Sequence, residues 1–356
     1  MDTHTHINRR HALAGIALTA SAGYALARGA SLDDKATAPA ATAGPANTKA
    51  QAGTLPNGAG FYRLTMGPVT IASVADGGGS MPGSPFPLWG ANASKDAVDA
   101  ALKQDFLPLE GTTFHFNSTV IKVGTEVYVF DTGNGAGGGP SAGKLVSHLA
   151  HLGIAPADVT AVILSHLHGD HIGGLTTGSG DSAQLTFPKA RYLLTKAEHD
   201  FWSTAGAADI KGNLPDGFKT GAIAGAGRAL AMIKARSELL TGDAKISEHL
   251  TVRPAPGHTP GHLMLDITGG GERLLACADL VHHFSLSFRR PDLHIQFDTD
   301  PVAGAQTRLQ VLAQAAAERT LILGYHMPFP GLGHVRNEAT GRTNGTYSWA
   351  PVAWEW

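Results

Sequence analysis

The chain of 356 residues is long enough to bury a full hydrophobic core without disulfide or metal staples. Its net charge of −2 excludes a protein that holds nucleic acid by bulk positive charge, and its single cysteine, Cys277, excludes an intrachain disulfide or a thiolate cluster. Charged residues make up 16% of the chain against ~25% in an average domain, and histidine, at 18 copies, is the outlier that carries the functional reading.

Residues 1–27 read as an export signal. Arg9-Arg10 precede an apolar stretch that closes on Ala25-Leu26-Ala27, giving the charged, apolar and small-residue regions of a secretory leader. The paired arginine with Leu13 behind it resembles a twin-arginine signal, with an ordinary secretory signal or a retained anchor as the alternative, and the protein is expected in the periplasm or outside the cell. The apolar run is too short, and too broken by Gly15 and Gly23, for stable membrane insertion. Residues 28–60, rich in Ala, Thr, Gly and Pro, lack the large apolar side chains that would offset ordering entropy and read as a flexible linker. One folded domain is expected over 61–356.

Within that domain, β-branched or continuous apolar runs predict strands at Val69–Val74, Thr119–Val123, Val127–Phe130, Ala161–Leu164, Tyr192–Leu194, Leu263–Ile267, Leu274–Ala276 and Leu321–Leu323. Gly124-Thr125 and Gly269-Gly270-Gly271 predict tight hairpins. Ser141 is placed to cap a helix carrying Leu145, Leu149 and Leu152 and stopped by Gly153. A short helix is expected over Lys196–Ser203, and Asp300-Pro301 predicts a cap and first-turn proline opening a helix to Glu318. The segments Pro85–Trp89 and Asp209–Gly227 carry no readable pattern. Strands and helices interleave, so the fold class is α/β.

Directly after Ala161–Leu164 stands Ser165-His166-Leu167-His168-Gly169-Asp170-His171-Ile172-Gly173-Gly174. A strand end opening into a loop is where open α/β sheets gather their sites. Three imidazoles and a carboxylate so close together are costly to bury without partners, and a divalent cation supplies one. Nitrogen and oxygen donors without thiolate suit zinc, with iron and manganese as alternatives. Two cations need more donors than this run offers. Candidates stand at three later strand ends: Pro256-Gly257-His258-Thr259-Pro260-Gly261-His262, Cys277-Ala278-Asp279 and Gly324-Tyr325-His326.

His166-x-His168-x-Asp170-His171, Gly257-His258-Thr259-Pro260-Gly261-His262, Asp279 and His326, preceded by Asp131-Thr132-Gly133, resemble in order the five motifs of the metallo-β-lactamase superfamily. The resemblance runs from about Phe61 to the C-terminus and implies an αββα four-layer sandwich. It implies two divalent ions, most simply Zn2+: one on His166, His168 and His258, the other on Asp170, His171 and His326. Asp279 would bridge them together with a water-derived hydroxide. His262 is then expected behind the ligands, and Asp131 as a residue that holds its loop.

The branch is narrowed by what is missing. The 30 residues after His326 leave no room for the helical glutathione-binding extension of glyoxalase II. An aspartate bridge of the Asp279 type is absent from the metallo-β-lactamases themselves, and the nucleic-acid-processing branches act on polyanions inside cells. Lys196-Ala197-Glu198-His199-Asp200-Phe201-Trp202 and the tail Tyr325–Val335 resemble methyl parathion hydrolase and its relatives, exported dinuclear hydrolases of organophosphate triesters, lactones and aryl esters. That likeness implies a small uncharged ester as substrate, no nucleic-acid partner and a homodimer. In that group an aromatic matching Trp202 lines the substrate pocket, and Phe201 is a further candidate for it. His282 stands three residues past the bridge, where relatives carry an apolar residue or a tyrosine, and is a pocket and second catalytic candidate, while Asp170 is the candidate for handling protons. His283 is a weaker candidate for the same role, Phe284 and Phe288 are candidates for an apolar cleft, and Cys277 reads as a small buried hydrophobe. Two rivals stay open: a mononuclear-iron sulfur dioxygenase of the same fold, and a metal-binding member without turnover.

Overall fold

The computed structural model describes residues 60–338 and 346–353; the expected export signal lies outside them, as does all but residue 60 of the expected linker. The chain opens with β1 (Phe61–Met66) and β2 (Val69–Met81), passes helix α1 (Lys95–Gln104), and returns through β3 (Thr112–Val123) and β4 (Glu126–Phe130). Helix α2 (Leu145–His151), strand β5 (Ala161–Ile163) and the one-turn helix α3 (Gly169–Ile172) come next, followed by a small ribbon of β6 (Thr176–Thr177) and β7 (Gln184–Leu185). Strand β8 (Arg191–Thr195), helices α4 (Lys196–Thr204) and α5 (Asp216–Ile233), and β9 (Ser237–Leu240) finish the first half. The second half holds β10 (Leu250–Pro254), β11 (Leu263–Gly269), β12 (Glu272–Ala278), α6 (Leu286–Arg289), α7 (Pro301–Glu318), β13 (Leu321–Gly324), β14 (Leu332–Asn337) and β15 (Tyr347–Pro351).

Seven strands form one sheet in the order β1-β2-β3-β4-β5-β8-β9, and six form a second in the order β10 to β15. Tyr62, Ile71, Ile121, Tyr128, Phe130 and Ile163 of the first sheet meet Val252, Leu263, Leu265, Ile267 and Leu274 of the second. Alternate residues, among them Val120, Val127, Val129, Val162 and Leu194, face outward onto Leu145, Leu149, Trp202, Ala226 and Ile233 of the helices α2, α4 and α5. On the far side Met264, Leu275, Cys277 and Ile322 meet Leu312 and Ala315 of α7. The four layers are helix, sheet, sheet, helix. Strands covered on both faces need apolar residues at successive positions, which is why their sequences read as unbroken runs. A smaller cluster of Trp89, Leu102, Leu286, Leu293 and Ile295 holds α1 against the segment around α6. Among the described residues no helix is long and apolar enough to cross a membrane.

All eight expected strands are present, most of them longer than their apolar runs. Val123 pairs with Glu126 across Gly124-Thr125. Gly269 pairs with Glu272 across Gly270 and Gly271, whose φ angles of 59° and 83° match a tight hairpin turn. Asp300 caps α7, its carboxylate accepting the Ala303 N–H at 3.1 Å. The expected cap of α2 is different. Ser141 is exposed and ends a 3₁₀ turn, Gly135–Ser141. The fully buried Asp76 takes its place, accepting Leu145 N at 3.0 Å, Gly143 N at 3.0 Å and Asn134 N at 2.8 Å. A buried carboxylate must collect donors, whereas an exposed hydroxyl can use water.

Candidate metal centre

The motifs meet because parallel strands release their loops at one rim. β4 and β5 are parallel neighbours, so Asp131 and Ser165 emerge side by side, with Asp131 Oδ1 accepting Ser165 N at 2.7 Å. Ser165 O in turn accepts Leu263 N at 3.0 Å, joining the loop to the first residue of β11 in the other sheet. β12 and β13 are also parallel and deliver Asp279 and His326 to the same place. Two glycines let the 257–262 loop close in. A Cβ on Gly257 would lie 2.2 Å from Gly304 N of α7, and one on Gly261 would lie 2.0 Å from Glu198 N of α4.

Two donor sets result. His168 Nδ1 and His166 Nε2 stand 2.9 and 3.1 Å from His258 Nε2. Asp170 Oδ2 stands 3.6 Å from His171 Nε2 and 3.4 Å from His326 Nε2. Asp279 lies between them, with Oδ1 3.1 Å from His171 Nε2 and Oδ2 3.2 Å from both His258 Nε2 and His326 Nε2.

Four of these imidazoles spend their other nitrogen on the protein, which fixes ring orientation and tautomer. His171 Nδ1 donates to Asp131 Oδ2 at 2.8 Å, His258 Nδ1 to Asp298 Oδ1 at 2.9 Å and His326 Nδ1 to the His115 carbonyl at 2.9 Å. His166 Nδ1 lies 2.9 Å from Ser165 Oγ, which donates to Asp131 Oδ2 at 2.7 Å. His262 differs. Its Nδ1 donates to the Ala255 carbonyl at 3.0 Å and its Nε2 accepts Asp279 N at 3.1 Å, so both nitrogens hold backbone and none faces the centre. Burial, followed by the neighbouring His258, pushes His262 down to about 3, consistent with a permanently neutral ring.

The electrostatics call for added positive charge. Burial opposes protonation of His171 and His258, but Asp279 and the other carboxylates around them reverse it, raising His171 well above its usual range and His258 to about 9. His166, buried, and His168, half-buried, are held well below theirs by loss of solvent and by the crowding of other imidazoles. Against its own burial, Asp279 is held well below the usual carboxylate range by His171, His326, His282 and His258. His171 Nε2 and Asp279 Oδ1, both buried, lie 3.1 Å apart yet make no hydrogen bond to each other or to any other described residue. Convergent nitrogen lone pairs, orphaned buried atoms and an all-nitrogen-and-oxygen donor set fit divalent cations.

The expected pocket residues are spread more widely. His282 joins the cluster: it is buried, its Nε2 lies 3.2 Å from Asp279 Oδ2, and its ring stacks on that of His326 at 5.5 Å. Trp202 is 2% exposed and meets His168 edge-on at 5.7 Å, while Phe201 lies behind it at 5.1 Å, packed against the helical layer of the first sheet. His283 serves α6 instead, its Nδ1 accepting the Ser285 and Leu286 N–H groups. Phe288 is fully buried beside Trp349, so it forms no cleft with Phe284. Besides Trp202, the rings that approach the cluster are Tyr325, 4.0 Å from His171, Trp89, 5.6 Å from His282, and Phe114 and Phe116, 6.4 and 5.7 Å from His326. Phe114 and Phe116 were legible in principle, because strand alternation puts both on the face opposite His115; Trp89 comes from the segment without a pattern.

Two stacked sheets between helix layers, with histidine and aspartate donors converging at one rim, define a class of metal-binding α/β proteins. Residues 111–326 match the sequence model of the metallo-beta-lactamase superfamily, and the chain belongs to that superfamily. It is similar to the solved structure of AidC, described as a dizinc quorum-quenching lactonase in complex with a product: 27% identity, a TM-score of 0.75, and 83% of this chain and 98% of that one covered. It is also similar to the hydrolase AbOPH of the beta lactamase superfamily, at 30% identity and a TM-score of 0.72, covering 84% of this chain and 99% of that one. The uncharacterized protein YobT of Bacillus subtilis (strain 168) is 32% identical over 119 residues, which span 31% of this chain and only 42% of that relative.

Proposed function

We propose that the chain is an exported dinuclear metal-dependent hydrolase of small uncharged esters, with a lactone, an aryl ester or an organophosphate triester as substrate. The observation that carries this reading is the shared carboxylate: one oxygen of Asp279 faces His171 and the other faces His258 and His326, so two donor sets meet on one residue. His166, His168 and His258 would hold one ion and Asp170, His171 and His326 the other, with zinc suited to the donors. When bound, such a pair makes hydroxide available by lowering the pKa of water from 15.7 toward about 7, and polarises the ester oxygen.

The side chains do the rest. The Asp170 side chain, 29% exposed, is on the open side of the cluster, where it can take a proton from attacking water and return it to the leaving oxygen. His282 Nε2, which faces the cluster 3.2 Å from Asp279 Oδ2 and makes no hydrogen bond among the described residues, is the nitrogen available to donate to a substrate oxygen. Trp89, Phe114 and Phe116 supply apolar surface beside His282 and His326, which suits acyl or aryl groups better than anions. The likeness to AidC supports a lactone as the first substrate to try. The Arg9-Arg10 leader supports export.

Metal analysis and rate measurements on an activated lactone, an aryl ester and an aryl phosphotriester test the reading. About two zinc-like ions per chain and hydrolysis of at least one of the three are expected. A single iron with oxygen uptake, metal without any turnover, or full activity after the ions are stripped would each overturn it.

A further inference from the structure

Glu198, in the first turn of α4, is fully buried and accepts four hydrogen bonds from three segments. Oε1 takes the Leu167 N–H at 2.9 Å and the Trp202 indole N–H at 2.6 Å. Oε2 takes the Thr259 hydroxyl at 2.6 Å and the Gly261 N–H at 3.0 Å. Leu167 stands between His166 and His168, and Thr259 follows His258. One carboxylate therefore grips both loops that supply the first donor set. Through Trp202, whose ring edge meets His168, it also backs the third imidazole. Thr195, the N-cap of α4, donates to the Gly261 carbonyl at 2.7 Å and completes the clamp.

A strut that only held the fold together would not need a charge. All four donors to Glu198 are neutral, and burying a carboxylate beside neutral groups is expensive, so burial raises its pKa against the pull of the four bonds. Glutamine has the same shape but only one acceptor oxygen, and its amide hydrogens would face two of the four donors. The carboxylate satisfies all four and places negative charge behind a site built for a cation.

We infer that Glu198 is the positioning residue for the cation held by His166, His168 and His258, an inference that rests on the dinuclear reading above. The experiment follows zinc release from the loaded protein to a chromophoric chelator, with thermal melting of each variant as a check on folding. His326→Ala removes a donor from the second set and identifies the release phase of the first. Glu198→Gln is expected to accelerate that phase about tenfold or more while changing the other by less than about twofold. Trp202→Phe keeps the aromatic ring but deletes the N–H to Glu198, and should shift the same phase by a smaller factor; it decides the matter if Glu198→Gln does not fold. Equal acceleration of both phases, or no change in the deciding variant, overturns the inference. A wild-type protein that takes up no zinc overturns the dinuclear reading instead.

Discussion

Behind His258 lies a buried ion pair whose contribution can be worked out from its surroundings. Asp298 is fully buried; its Oδ1 holds His258 Nδ1 at 2.9 Å, and its Oδ2 lies 3.4 Å from Nη2 of Arg308, itself 1% exposed on α7. Arg308 also donates to the carbonyls of Leu280, Pro291 and Leu293 at 2.9, 3.0 and 2.9 Å. Asp298→Ala therefore leaves a guanidinium that is still hydrogen-bonded but has lost its counter-charge. Breaking one side of a buried pair costs roughly 3–5 kcal/mol, and the surviving carbonyl bonds place this case near 3. Arg308→Met in turn removes the guanidinium from a carboxylate that keeps only the His258 N–H. With both changes made, neither ion remains to be desolvated, so the double variant should lose about 2 kcal/mol less than the sum of the singles. Urea unfolding of the cation-free proteins, followed by circular dichroism, measures all four corners of the cycle. Additive losses, or a loss under about 1 kcal/mol for Asp298→Ala, would refute the claim that these two charges depend on each other.

Other perturbations read other parts of the structure. Burial pushes His283 down to about 4, while the unfolded chain titrates near 6.5. The unfolded state thus binds the proton more tightly, and a contribution that is complete above about pH 6.5 is lost as pH falls toward 4, roughly 3 kcal/mol in all. Stability–pH curves of wild type and His283→Asn should run parallel above that window and diverge within it; curves parallel throughout would exclude a neutral cap on α6. Gly261→Ala must displace both Glu198 N and Thr195 Oγ1, which its Cβ would meet at 2.0 and 2.4 Å, so melting should show a loss of about 1–3 kcal/mol together with reduced turnover. An unchanged melt would mean that the loop yields freely. Asp279→Ala should cut hydrolysis by orders of magnitude and loosen both ions while far-UV circular dichroism stays as in the wild type; two ions still tightly held would remove Asp279 from the shared position.

The strands that could be read from sequence are those buried on two faces, where apolar residues cannot alternate with polar ones. β14 and β15 went unread because their burial is patchy, as in Leu332–Asn337, where only Leu332, Gly333 and Val335 are buried. Helix α5 was hidden by composition. It carries Gly217, Gly221, Gly225 and Gly227, each costing about 1 kcal/mol relative to alanine in a helix interior. Packing of Ala226, Ala229 and Ile233 against the first sheet's outer core holds the helix nonetheless. The donors were legible because they cluster in short motifs at strand ends. The carboxylates that orient and brace them were not: Asp298 serves a histidine 40 residues away and Glu198 a loop 63 residues away, and a lone acid in a sequence carries no mark of its distant partner.

The division of donors between the sheets has a consequence for how the protein matures. The loop after β5 contributes two members of each trio, and the third, His258 or His326, comes from the second half of the chain, as does Asp279. Before the halves dock, an ion finds only paired ligands on one side and scattered single ones on the other, too few for a closed four-coordinate shell. Tight capture of an ion would therefore come last; a fragment ending at β9 would offer it paired ligands at most and would be left with its inner apolar face bare.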